Sequence, residues 1–197
     1  MECSGRVREA FRRKGHDAWS CDLLPAEDNS KFHIIGDVYE HLNDGWDLGI
    51  FHPTCTFLTL ASIRWMYHPE DTWLDAHLRR RHPDYPNRMK DFLSSVSGFQ
   101  RLQNCSIPKV VIENPQPHGL TTAFVGEYDQ KIQPWWFGEG FTKGVCLWLK
   151  NVEPLIPTNE VEGREPQCHW MSPGPARQRE RSRTYQGIAN AFAEKWG

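Results

Sequence analysis

A chain of 197 residues with 23 lysines and arginines against 25 aspartates and glutamates, a formal net charge of −2, is long enough for one full core and short for two. That balance excludes a global basic field for holding nucleic acid non-specifically, so any such contact has to be local. No stretch approaches the roughly 18 apolar residues of a membrane helix, and the first residues lack the apolar core of a signal peptide, which predicts a cytoplasmic protein forming a single domain over 1–197.

In chain order, the first periodic signal is Val7, Ala10 and Phe11 within Gly5–Gly15. Their i, i+3, i+4 spacing predicts a turn and a short helix that Gly15 stops. A strand is expected from about Asp17 to Leu23. The run Asp47–His52 is apolar at Leu48, Ile50 and Phe51 and halts at Pro53, as a buried strand opening into a loop does. Met89, Phe92, Leu93, Val96 and Phe99 recur at helical spacing and predict a helix over Arg88–Gln103, with Pro108 closing the connection. Lys109–Glu113 and Val145–Leu149 read as further strands. A last helix is expected from about Ser182, with Tyr185, Ile188, Ala189, Phe192 and Trp196 on one face. Strands alternating with helices predict an α/β sheet.

The six cysteines include no CxxC pair and lie mostly in apolar runs, which predicts reduced core thiols and neither a zinc ribbon nor a disulfide framework. His52, His118, Cys168 and His169 have no paired ligand spacing, and no metal is expected.

In open α/β sheets, ligands sit beyond the carboxyl ends of the strands. That rule selects Gly5, Asp22, Asp37, the loop Pro53-Thr54-Cys55 and the pair Glu113-Asn114. Glycine permits close approach of backbone to a ligand, and a carboxylate accepts two hydrogen bonds from a vicinal diol. A loop cysteine is suited to covalent addition, and a strand-end carboxyl in a pocket for a neutral base is suited to hold and donate a proton.

Taken together, Cys3-Ser4-Gly5 opening a helix, Ser20-Cys21-Asp22-Leu23, Gly36-Asp37-Val38, the strand and loop Asp47 to Cys55, and Val111-Ile112-Glu113-Asn114-Pro115 resemble the ordered motifs of the DNA cytosine-5 methyltransferases. The segments Phe137–Lys143 and Arg183–Ala191 resemble later motifs of that family, and nearly the whole chain resembles small bacteriophage proteins labelled DNA methyltransferases. The resemblance implies a Rossmann-like methyltransferase fold, with a mostly parallel central sheet flanked by helices, and S-adenosylmethionine as cofactor. Ser4, Gly5, Asp22, Leu23, Asp37, Val38 and Pro53 would bind that cofactor. Cys55 would be the nucleophile, Glu113 the acid and Asn114 their neighbour in the catalytic set. Thr54 and Lys143 would approach the base. The chain departs from the family where Arg6-Val7-Arg8 replaces further glycines and where Thr54 replaces a second proline.

No separate target-recognition domain is expected, because only the irregular proline- and charge-rich segment 151–181 occupies its place. The segment 63–87, with Arg64, Trp65, Trp73, Arg79, Arg80 and Tyr85, interleaves aromatics with arginines. It is expected to act as a lid that stacks a flipped or single-stranded base and contacts phosphate. The implied partner is duplex or single-stranded DNA, or a pyrimidine nucleotide. Two other functions stay open: modification of a free or hypermodified pyrimidine nucleotide, and nucleic-acid binding by a catalytically degenerate fold.

Overall fold

The computed structural model describes residues 1–166, 174 and 181–197. Cys168, His169 and most of the irregular stretch after 166 lie outside the described residues. Helix α1 spans Arg6–Arg13. It starts where Gly5 turns the chain at φ +71°, in the left-handed region that disfavours residues with a Cβ. Strands β1, Ser20–Asp22, and β2, His33–Ile35, then pair in parallel with Ser20 opposite His33 and Asp22 opposite Ile35.

A second sheet contains β3, Leu48–Phe51, β4, Lys109–Pro115, β5, Gln130–Ile132, and β6, Val145–Lys150, in the order β3-β4-β6-β5. Helix α2, Arg88–Gln103, connects β3 to β4; α3, Gly119–Val125, follows β4, and α4, Gln186–Trp196, ends the chain. In β4, Val110 and Ile112 belong to one apolar cluster with Phe92, Val96 and Phe99 of α2, whereas Val111 belongs to another with Val7 and Phe11 of α1 and Ile188 and Phe192 of α4. Strand residues alternate between faces, so an unbroken apolar run means helices on both sides. Cys146 and Trp148 of β6 join the first cluster, and Val145 and Leu147 join the second.

The architecture is mixed α/β, as alternation predicts, but the expected mostly parallel central sheet is not what the pairing gives. β3–β4 and β1–β2 are parallel, β4–β6 and β5–β6 are antiparallel, and the strands form two sheets. Burial patterns reveal which residues are inside but do not carry strand direction, so the expectation of a mostly parallel sheet stood on the resemblance alone. Among the described residues no helix is long and apolar enough to cross a membrane.

Helix α2 has the bounds its periodicity predicts, with one difference in its buried face. Phe92 is fully buried and meets the rings of His118 and Phe124, while Leu93 is 45 % exposed. Phe92→Ala is expected to destabilise the protein by about 3–5 kcal/mol and Leu93→Ala by less than about 1 kcal/mol, measured as midpoint shifts in urea denaturation.

Candidate active site

The parallel register that sets Phe51 beside Ile112 brings the exits of β3 and β4 together. The next residues are His52 and Glu113. Glu113 is buried, and its Oε2 lies 3.6 Å from His52 Nε2. Burial pushes the Glu113 carboxyl above the usual carboxylate range, against a smaller opposing pull from Lys143. His52 is also bonded through Nε2 to Thr184 Oγ1 at 3.1 Å. Burial, helped by the Met1 ammonium and Lys143, lowers its pKa to about 3, so its imidazole is neutral at ordinary pH.

The loop beyond His52 is fastened along its length by the chain leaving β4. Asn114 Nδ2 donates to the Pro53 carbonyl at 3.1 Å within the interior. The Leu58 carbonyl accepts from His118 N–H at 3.2 Å and from Thr121 Oγ1 at 2.8 Å, and Leu60 N–H donates to the Gln116 carbonyl at 2.9 Å. These bonds supply rigidity that a second proline in place of Thr54 would otherwise give.

Cys55 stands at the exposed turn of this loop, within electrostatic reach of Glu113, Lys143 and Arg181. Desolvation raises its thiol pKa, the Glu113 charge raises it further, and Lys143 and Arg181 pull it down. Lys143 acts electrostatically on Cys55, Glu113 and His52 alike. Its Nζ donates to the Arg181 carbonyl at 2.8 Å and sits 5.6 Å from the Tyr185 ring centroid. Cys55, Glu113 and Lys143, drawn from three separate segments, therefore share one electrostatic neighbourhood. Thr54 is exposed beside Cys55.

The expected cofactor residues divide into three groups. Asp22 and Asp37 follow the adjacent parallel strands β1 and β2, which Gly36 N–H to the Asp22 carbonyl at 3.0 Å ties together. Each carboxylate caps one backbone N–H through Oδ1, from Leu24 at 3.1 Å and from Tyr39 at 3.0 Å, and neither Oδ2 has a hydrogen bond among the described residues. Leu23 and Ile35 flank them with exposed apolar surface. Ser4 is engaged with Glu2 at 2.7 Å, and the space left by the missing Gly5 side chain is filled by the buried Arg8 guanidinium. Arg8 pairs with Asp28, Glu9 and Ser20, which accounts for an arginine where further glycines were expected. Val38 and Pro53 are buried, Val38 in the apolar core.

A hydrogen-bonded path joins this half to the β3–β4 exits. Arg6 Nη1 donates to the Thr184 carbonyl at 2.9 Å, and the Thr184 hydroxyl meets His52. Beside it, Arg183 pairs with Glu27 at 2.6 Å, and Glu27 N–H donates to the Cys3 carbonyl at 2.9 Å. His52, Thr184 and Arg181 were not among the expected site residues. The signal for His52 was its place next to Pro53 at a strand end, and for the other two their place just before the last helix.

Residues 63–87 fold into short 3-10 turns closed by a hairpin, with Tyr67 bridged to Arg81 and His68 N–H bonded to the Arg80 carbonyl. Two of the three arginines expected at the substrate are engaged within this segment. Arg80 forks onto Asp71 at 2.7 and 3.0 Å, and Arg79 donates to the Leu74 and Thr72 carbonyls at 2.7 and 3.1 Å. Arg64 is exposed and lies over the Trp65 ring at 4.7 Å, while Trp73 is 80 % exposed. His118 caps α3 by accepting from Thr121 N–H.

No protein-family model matches the chain, and neither a curated protein nor a solved structure matches it significantly.

The shared field gives a direct chemical readout. Removing the Glu113 charge lowers the Cys55 pKa, and removing the Lys143 charge raises it. At pH 9, Glu113→Gln should speed iodoacetamide alkylation of Cys55 by about 2–5-fold and Lys143→Met should slow it by a similar factor, measured by intact-mass kinetics with the other cysteines replaced.

Proposed function

We propose that this protein methylates carbon 5 of cytosine in DNA with S-adenosylmethionine as donor, using Cys55 as nucleophile and Glu113 as acid. The observation that carries the reading is the convergence of a loop thiol and a buried carboxyl, whose pKa burial raises, at the exits of neighbouring parallel strands. Cytosine carbon 5 is too weak a nucleophile to accept a methyl group unaided, and addition of a thiolate at carbon 6 activates it.

Cys55 loses its proton to solvent and its sulfur bonds carbon 6, while the ring nitrogen N3 takes the Glu113 proton. The electron pair released at carbon 5 is then available for methylation. Afterwards the carbon 5 proton leaves to a base, the carbon 6–sulfur bond breaks, Cys55 departs as thiolate and N3 returns its proton to Glu113. Lys143 favours the thiolate by its charge. Neutral His52 lies near Glu113 without stabilising its anion as a cation would.

The residues present fit the adenosine end of the cofactor: Asp22 and Asp37 keep one carboxylate oxygen each for ribose hydroxyls and the adenine amine, and Leu23 and Ile35 offer apolar surface to the ring. When bound, the cofactor supplies an electrophilic methyl group. On this reading the fold is Rossmann-like, with β1–β2 and β3–β4–β6–β5 as two parts of one nucleotide-binding sheet. Trp73 and the Arg64–Trp65 pair are the surfaces of residues 63–87 for stacking an extruded base.

Cys55→Ala should reduce 5-methylcytosine formation to background while S-adenosylmethionine binding, read by calorimetry, stays within about threefold of the unaltered protein. Glu113→Gln should lower the rate by about 10²–10⁴-fold. Mass spectrometry of nucleosides from DNA and from the nucleotide pool locates the product. Undiminished methylation by Cys55→Ala would overturn the covalent mechanism, and a folded protein that binds no S-adenosylmethionine would overturn the enzymatic reading.

A further inference from the structure

Glu113 and His52 stand side by side at the exits of β4 and β3, with side chains only 10 % and 11 % exposed. Burial keeps the His52 ring neutral. A neutral imidazole carries one N–H and one bare nitrogen, and the surroundings decide which is which. Nδ1 is buried and has no hydrogen-bond partner among the described residues, so a proton there would be a stranded donor, a costly group to bury unpaired. Nε2 faces two oxygens, Thr184 Oγ1 at 3.1 Å and Glu113 Oε2 at 3.6 Å. The proton therefore belongs on Nε2. The nearer oxygen is within hydrogen-bond reach and the farther one is just beyond it, so the N–H rests on Thr184.

Thr184 is a fixed point. It is buried, and its carbonyl accepts from Arg6 Nη1 at 2.9 Å. Glu113 has no such anchor: neither carboxyl oxygen makes a hydrogen bond among the described residues. Its electrostatic neighbours are Lys143, Cys55 of the loop and Cys146 of β6, and the Met1 ammonium and Lys143 act on His52. A cationic imidazole at this distance would hold the carboxyl ionised from the start and leave it no proton to give. A neutral N–H slightly too far to bond leaves that proton in place. A movement of about half an ångström then brings the N–H within reach once the oxygen is an anion, a stronger acceptor than a hydroxyl.

We propose that His52 is the positioning residue for Glu113, its Nε2–H resting on the Thr184 hydroxyl while the carboxyl is neutral and turning to Oε2 once the carboxyl has given its proton away. An N–H aimed at Oε2 also keeps the carboxyl proton on Oε1, so one oxygen serves the substrate and the other the protein. In the forward step the Oε1–H bond breaks, its electron pair stays on the carboxylate and the proton goes to the ring nitrogen of the base. His52 exchanges one acceptor for another without losing its own proton. Return of the proton to Oε1 sends the N–H back to Thr184. This role rests on the proposed methyl transfer, whereas the hydrogen-bond exchange itself is measurable without turnover.

The test is NMR of the 197-residue protein labelled with ¹⁵N in histidine and ¹³C in the glutamate carboxyl. The His52 proton is expected on Nε2. The Glu113 titration is expected to move in opposite directions in two variants: upward in His52→Phe, which deletes the donor that receives the anion, and downward in Thr184→Val, which frees that donor for Glu113. His52→Gln, whose side-chain N–H can stand in for Nε2–H, should restore the unaltered position. In methylation assays His52→Phe should lower the rate by about 10–100-fold and carry the loss of activity at high pH upward, where a merely structural residue would lower the rate without moving that limb. Shifts of the same sign in both variants would overturn the proposal. So would a proton on Nδ1 in the unaltered protein, a result that decides the matter even if a variant fails to fold. Opposite shifts in a protein that never methylates would instead overturn the methyltransferase reading and leave the hydrogen-bond exchange standing.

Discussion

The geometry of the candidate site depends on one constraint, the parallel pairing of β3 with β4. In an antiparallel pair the two strands would leave the sheet at opposite ends, and a thiol after one could never meet a carboxyl at the end of the other. Parallel pairing requires a long crossover, here the 63–87 segment and α2. The crossover buries its apolar stripe on the sheet and anchors the register. The Asn114–Pro53 hydrogen bond then carries that register into the loop, so that a position fixed by backbone pairing reaches Cys55 with little freedom.

Within this frame the charges are few and unequal. Glu113 is buried and His52 largely so, and both are biased toward their neutral forms, the inexpensive way to keep ionisable groups out of water. Lys143 acts electrostatically on these two and on Cys55, and its Nζ donates to a carbonyl. A site of this kind favours reactions on an uncharged ring in which charge appears only transiently.

Much of this was legible in the sequence, and what was not has identifiable causes. The bounds of α2 and the existence of β3, β4, β6 and the last helix follow from burial periodicity, which the apolar residues record directly. Cys55, Glu113 and Asp22 were picked out as candidates because a strand end is a place where a polar residue stands out against an apolar run. The three-residue strands β2 and β5 and the helix α3 are too short to display a period. The partners of Arg79 and Arg80 were not legible, because a basic residue carries no mark of its partner; Asp71, which captures Arg80, is nine positions away across a hairpin. His52 and Thr184 meet across 132 positions, a distance over which only the fold can assign neighbours.

The packing of α1 against α4 bears on how the molecule is made. Helix α4 is translated after the elements it packs on, so Val7 and Phe11, together with the Val111 face of the sheet, wait uncovered until its eleven residues have been made. Domains normally fold as the chain emerges. Here the covering layer is made after the surface it covers, and a protein lacking that one helix would leave an apolar surface for chaperones or proteases to find.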